Sequence, residues 1–206
     1  MKNIILLGKP CSGKGTISKQ LIEKGYYHLS GSDVLRENSQ SKDAPYYKEA
    51  THALTTGVLI ADDIMNGMVA NKVKELKGQP IVFDGFPRSI NQAEQLFKLF
   101  PDLTQLQSFY LNISDSDIIK RVTNRLTCKQ CAASYNTTTM KPKIENVCDL
   151  CGGEVYRRTD DNIDTLKTRL SQYTEQTEPV IDYMKNNIQH FDLDKEQINL
   201  NFILKQ

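Results

Sequence analysis

Apolar positions along the chain fall into short blocks separated by polar stretches of helical period. Asn3–Leu7 is almost wholly apolar and holds two isoleucines, the pattern of a strand buried on both faces of a parallel sheet. After a glycine-rich loop, Ile17, Leu21 and Ile22 recur near helical spacing up to Gly25, a helix stop. Tyr27–Ser30 reads as a second short strand, followed by a helix capped by Ser32 or Asp33. Residues 37–57 are polar and helical in part. Asp62–Leu76 carries apolar residues at 64, 65, 68, 69, 73 and 76, an amphipathic helix. Pro80–Arg88 reads as a strand closed by a Gly-Phe-Pro turn, 90–99 as a helix, Leu106–Ile113 as a strand and Ser114–Arg125 as a helix.

The texture changes between Thr127 and Arg158, where no long period survives; this is an inserted module. Asp160 or Asp161 then opens a long helix to about Asn187, with Pro179 bending or dividing it. Ile188–Leu193 is a fifth strand and Lys195–Lys205 a closing helix. Strands alternating with helices predict a parallel sheet covered on both faces. Ligands of such sheets bind beyond the carboxyl ends of the strands. The loops at 8–16, 30–33 and 84–88 all follow strands, so they are expected to share one cleft.

Composition narrows the functions. The 206 residues suffice for one domain with an insertion. A net charge of +1, with 26 basic and 25 acidic side chains and no tryptophan, offers no broad field for nucleic acid or an anionic membrane. That argues against a zinc-ribbon nucleic-acid-binding ATPase, the reading from another class. The apolar run "IILL" is too short for a signal peptide or membrane span, so a cytoplasmic location is expected. Five cysteines, an odd number, argue against a disulfide framework.

"GKPCSGKGT" (Gly8–Thr16) matches the phosphate loop, except that Gly15 precedes Thr16 where a hydroxyl often follows the lysine directly. Glycines let the backbone curl with its N–H groups inward, the following helix adds its positive end, and Lys14 brings a full charge. Nucleoside triphosphate binding follows. No Asn-Lys-x-Asp run accompanies it, which ranks a regulatory GTPase low. "DGFPRSINQA" is the second feature: Asp84 ends a strand, the usual setting for a carboxylate that holds Mg2+ through water, and Phe86-Pro87 aims Arg88. Phosphoryl transfer needs distributed positive charge, and of Arg36, Arg88, Arg121, Arg125, Arg157, Arg158 and Arg169 six lie at strand-to-helix junctions, on helices next to them or at the edges of the insertion. Cys128-x2-Cys131 and Cys148-x2-Cys151 have zinc-ribbon spacing, and four thiolates would close a structural Zn2+ site. His28, His52 and His190 read as structural or surface residues.

These motifs, with "SGSDVLR" and "RRTDDN", fall in the order and spacing of adenylate kinases, and the chain resembles the long form whose lid carries zinc. The resemblance covers essentially the whole chain. It implies an α/β, P-loop NTPase-type three-layer fold with a five-stranded parallel sheet, an NMP-binding helical insertion and a small zinc-bearing lid. The core would comprise 1–29, 60–126 and 162–206, the NMP-binding region 30–59 and the lid 127–161. It implies a monomer that moves phosphate reversibly between Mg-ATP and AMP, with no nucleic-acid or membrane partner. Gly8, Gly13, Lys14, Gly15 and Thr16 would hold the ATP phosphates. Arg121 would flank the ATP adenine. Arg36 and Arg88 would hold the AMP phosphate, with Gly31 and Ser32 beside the base and Gln92 reading it. Arg125, Arg158 and Arg169 would clamp the transferring group, while Asp160 and Asp161 organise the lid hinge.

Two positions depart from the family. Gly31 stands where adenylate kinases carry a threonine that helps to contact the AMP base; UMP/CMP kinases carry a small residue there, which keeps a pyrimidine acceptor open. Cys11 replaces a glycine. The plainer account is a tolerated small side chain turned from phosphate. The sharper one is a thiolate favoured by the phosphate-binding field, reactive in the absence of ATP and shielded by it.

Overall fold

The computed structural model describes residues 1–56, 60–131, 133–157 and 161–206. In chain order its elements are β1 (Asn3–Leu7), α1 (Lys14–Ile22), β2 (Tyr27–Ser30), α2 (Gly31–Asn38), α3 (Tyr47–Thr56), α4 (Asp62–Glu75), β3 (Ile81–Asp84) and α5 (Ile90–Leu99). Then come β4 (Leu106–Asn112), α6 (Asp115–Thr123), β5 (Arg125–Cys128), β6 (Ser134–Asn136) and β7 (Val155–Tyr156). The chain closes with α7 (Ile163–Gln172), α8 (Glu178–Asn187), β8 (Gln189–Asp194) and α9 (Leu200–Leu204). No helix among the described residues is long and apolar enough to cross a membrane.

The main sheet has five strands in the order β2-β3-β1-β4-β8, all parallel. Its central strand shows why the sequence runs apolar without alternation. Ile5 and Leu7 pack into one cluster with Phe83, Phe86, Leu96 and Met184, whereas Ile4 and Leu6 pack into another with Ile17, Leu21, Phe109 and Ile203. Successive side chains of a strand point to opposite faces. Because helices cover both faces, every position of β1 is buried. Register levels the strand ends: Leu6 and Ser30 both lie opposite Asp84. The loops after β1, β2 and β3 therefore emerge side by side.

Several boundaries differ from expectation. Ser30 caps α2, rather than Ser32 or Asp33, because its extended backbone lets Oγ accept the Asp33 N–H at 3.1 Å. The helix after β4 stops at Thr123, and Arg125 instead begins a lid strand. Asn162 caps α7, taking the Thr165 N–H at 2.9 Å, so Asp161 lies just before the helix it was expected to open. A π-helical turn over Tyr173–Thr177 joins α7 to α8, and Pro179 sits in the first turn of α8, where its missing N–H costs nothing. The closing helix is confined to 200–204 because Asn199 caps it there. The inserted module is a three-stranded antiparallel sheet, β6-β5-β7, whose small core is Cys128, Ala133, Tyr135, Cys148 and Val155.

Candidate active site

The phosphate loop turns sharply between β1 and α1. Gly8 has φ +147°, and a Cβ there would lie 2.7 Å from Ser12 Oγ and 3.0 Å from the Leu111 carbonyl, so only glycine fits. Lys14, the first residue of α1, folds back over the loop. Its Nζ donates to the carbonyls of Gly8 at 2.6 Å and Lys9 at 2.9 Å. Burial pushes the Lys14 ammonium down to about 8; Asp84 opposes this and Arg88 adds to it. Thr16 lies in the same first turn, exposed. Arg121 reaches from α6 and donates from Nη1 to the carbonyl of Ser12 at 2.6 Å, clasping the loop from outside.

Asp84, at the end of β3, faces this loop. Ser18 Oγ donates to its Oδ2 at 3.2 Å, and His28 Nε2 stands 3.2 Å from the same oxygen. Burial works to raise the Asp84 pKa, but the His28 hydrogen bond, the Lys14 charge and Ser18 outweigh it and hold the carboxyl below its ordinary value. The hydrogen bond to Asp84 likewise raises His28 against its burial, and Asp33 stands 3.5 Å from its other nitrogen. His28 is thus part of the site, not the plain structural residue its sequence setting suggested. Sheet pairing alone brings it to Asp84, and no local spacing announces that.

The turn after Asp84 needs Gly85 at φ +69°, with a cis Phe86–Pro87 bond beyond it. Arg88 folds back so that Nε donates to the Gly85 carbonyl at 2.7 Å. Desolvation in the cleft, then the Arg169 charge, lower the Arg88 pKa against the pull of Asp84. Gln92 is buried on α5: its Oε1 accepts the Arg88 N–H at 2.8 Å and its Nε2 donates to Asp62 Oδ1 at 2.6 Å. Gly31 opens α2 facing the Met65 side chain, 3.6 Å from where a Cβ would stand. Ser32 Oγ lies 3.2 Å from Ser30 Oγ. Arg36 is not drawn into the cluster; it pairs with Asp33 at 2.7 Å on the exposed face of α2.

On the lid side, Arg125 grips Asp161 with two hydrogen bonds, Nε to Oδ2 at 2.8 Å and Nη2 to Oδ1. Its Nη1 also donates to Cys11 Sγ at 3.1 Å. Cys11 itself holds a left-handed backbone, φ 63°. Burial raises its thiol pKa, outweighing the Arg125, Lys14 and Arg169 charges that favour the thiolate. That direction runs counter to the sharper of the two expectations. Those charges do place Arg125 and Arg169 beside the loop. Arg158 and Asp160 lie outside the described residues. Arg157 donates to the Thr123 carbonyl, tying the lid's exit to the end of α6.

The lid brings Cys128, Cys131, Cys148 and Cys151 together, with all four sulfurs within 4.8 Å of one another. Cys128 and Cys151 stand 3.5 Å apart, Cys131 and Cys148 3.6 Å. Zinc at about 2.3 Å from each thiolate would set sulfurs about 3.8 Å apart in a tetrahedron, so the set fits that ion. Tyr135, buried beside it, accepts the Asp149 N–H at 2.7 Å and lies 3.3 Å from Cys148 Sγ.

Comparison with known proteins agrees with this geometry. Residues 6–189 match the family model described as adenylate kinase. The chain is 40% identical over 187 residues to the adenylate kinase of Caldicellulosiruptor saccharolyticus, covering 89% of this chain and 86% of that one. It is 35% identical over 208 residues to that of Mycoplasma capricolum (99% and 96% covered) and 36% identical over 196 residues to that of Archaeoglobus fulgidus (93% and 90%). A phosphate loop facing a strand-end carboxylate, an arginine-bearing turn beside it and a four-cysteine lid thus sit in a chain that belongs to the adenylate kinase family.

Proposed function

We propose that the protein catalyses reversible phosphoryl transfer from Mg-ATP to AMP, giving two ADP. The observation that carries this reading is the gathering of Lys14, Arg88, Arg125 and Arg169 around the phosphate loop and Asp84. The acceptor is already a phosphate anion, so no general base is needed. Positioning and charge neutralisation carry the reaction.

In this reading Gly8, Gly13, Gly15, Thr16 and Lys14 cradle the ATP phosphates, with phosphate oxygens replacing the loop carbonyls as partners of Lys14. Arg121 flanks the ATP adenine. Asp84, kept ionised by its neighbours, would hold Mg2+ through water, and that ion neutralises phosphate charge when bound. Arg36 and Arg88 take the AMP phosphate, with Arg125, Arg158 and Arg169 around the group in transit. Gly31 and Ser32 border the base. Gln92 reads it, since an amide offers paired donor and acceptor. Residues 30–59 form the AMP-binding region and 127–161 the lid, hinged at Asp160 and Asp161. The lid cysteines hold a structural zinc, because a module this small cannot bury enough apolar surface to be rigid alone. The lid excludes water, a competing acceptor.

Gly31 favours a second reading, a pyrimidine nucleoside monophosphate as acceptor. A coupled assay with ATP, Mg2+ and each of AMP, CMP, UMP and GMP separates the two. AMP is expected to give the highest kcat/KM; a pyrimidine acceptor outpacing AMP would overturn the assignment.

A further inference from the structure

Gln92 is 7% exposed, and its amide is held at both ends. Oε1 accepts the Arg88 backbone N–H at 2.8 Å, and Nε2 donates to Asp62 Oδ1 at 2.6 Å. The second Asp62 oxygen accepts from Ser89 Oγ at 2.5 Å. Ser89 in turn caps α5, its Oγ accepting the Gln92 N–H at 3.1 Å. Ser-x-x-Gln is capping-box spacing, in which the glutamine normally turns back to the N–H of the capping residue. Here it is diverted to the N–H one residue earlier and to the start of α4.

Each partner of the amide has a single polarity. A backbone N–H only donates, and a carboxylate, favoured at a helix N-terminus, only accepts. Turning the amide over would set NH2 against N–H and carbonyl oxygen against carboxylate. A primary amide has two donor hydrogens and two acceptor lone pairs. The network consumes one of each and leaves one of each, in a fixed order. Adenine presents a donor at its 6-amino group and an acceptor at N1. Hypoxanthine has the same shape with both polarities reversed. A freely turning amide serves either edge; a fixed one serves only one.

We propose that Asp62 is a positioning residue for acceptor choice: by fixing the polarity of the Gln92 amide, it makes the site accept 6-amino purine and reject 6-oxo purine monophosphates. The proposal rests on the reading of Gln92 as the contact to the acceptor base. The test is steady-state kinetics with AMP and IMP on the wild type, Asp62→Ala, Asp62→Asn and Gln92→Leu, with folding checked by thermal denaturation. Asp62→Ala is expected to lower the AMP-to-IMP ratio of kcat/KM by at least about tenfold, within the discrimination a hydrogen-bonding site can exert. The change should appear in the acceptor KM, with the KM for ATP unmoved. Asp62→Asn, of the same shape, should shift the ratio less in the same direction and serves if the alanine variant does not fold. A folded Asp62 variant with the wild-type ratio overturns the proposal. If Gln92→Leu raises the AMP KM while that ratio holds, only the role of Asp62 falls. If Gln92→Leu leaves the AMP KM unchanged, the base-reading role of Gln92 falls and the proposal with it.

Discussion

Among single residues, Lys14 combines a central proposed role with a clear environmental cost. With its pKa pushed to about 8 by burial, its charge is present below that pH and lost as pH rises through it. Triphosphate restores the charged form, so binding above pH 8 should take up a proton and weaken with rising pH. Calorimetric titration with a nonhydrolysable ATP analogue, in buffers of different ionisation enthalpy, measures both. The unfolded chain, with lysine at its ordinary 10.5, binds the extra proton between the two values, so this group's cost to folding is relieved as pH rises from about 8 to 10.5. Replacing the charge, Lys14→Met, should lower kcat by about two to three orders of magnitude, the usual effect of losing one preorganised donor. Cys11 makes the opposite case. Its raised pKa predicts alkylation near neutral pH slower than that of an unburied cysteine, read by mass spectrometry of the Cys11 peptide. Lys14 was legible in the motif; the state of Cys11 was not, because packing and not spacing set its desolvation.

Elements were legible where a period or a cap was local. Residues 90–99 form a helix as the pattern required, and its capping serine stands at position 89. The misplaced ends arose where a residue could serve two roles. Ser30 ends β2 and caps α2 at once, while Arg125 leaves α6 to start the lid sheet. That shift lets Arg125 reach Asp161, whose side chain is 1% exposed. Asp161→Ala removes two hydrogen bonds from the half-buried Arg125 and should cost about 1–3 kcal/mol, as losing charged hydrogen bonds does; urea denaturation against the wild type would measure it. The lid has a core too small to hold itself, so removing the proposed zinc with a chelator should lower the melting temperature and speed proteolysis within 127–157. Elemental analysis finding no zinc in the purified protein, or chelation that changes neither readout, would count against the structural metal.

Across the whole molecule, parallel register puts three loops at one edge of the sheet, and function follows from that meeting. The proposed lid and AMP-binding region should close when both sites fill. Small-angle scattering with AMP and a nonhydrolysable ATP analogue together should give a smaller radius of gyration than with either alone. The sequence by itself determined the layered fold, the phosphate loop, the arginine turn and the four-cysteine lid, because each depends on local spacing: unbroken apolar strands, glycines before a helix, paired Cys-x-x-Cys. Only the tertiary structure decided that His28 supports Asp84, that Asp62 holds Gln92, that Arg125 joins Cys11 to Asp161 and that Arg36 pairs outward. These partners lie on different elements, and strand order and helix packing, rather than proximity in the chain, set their distances and their desolvation.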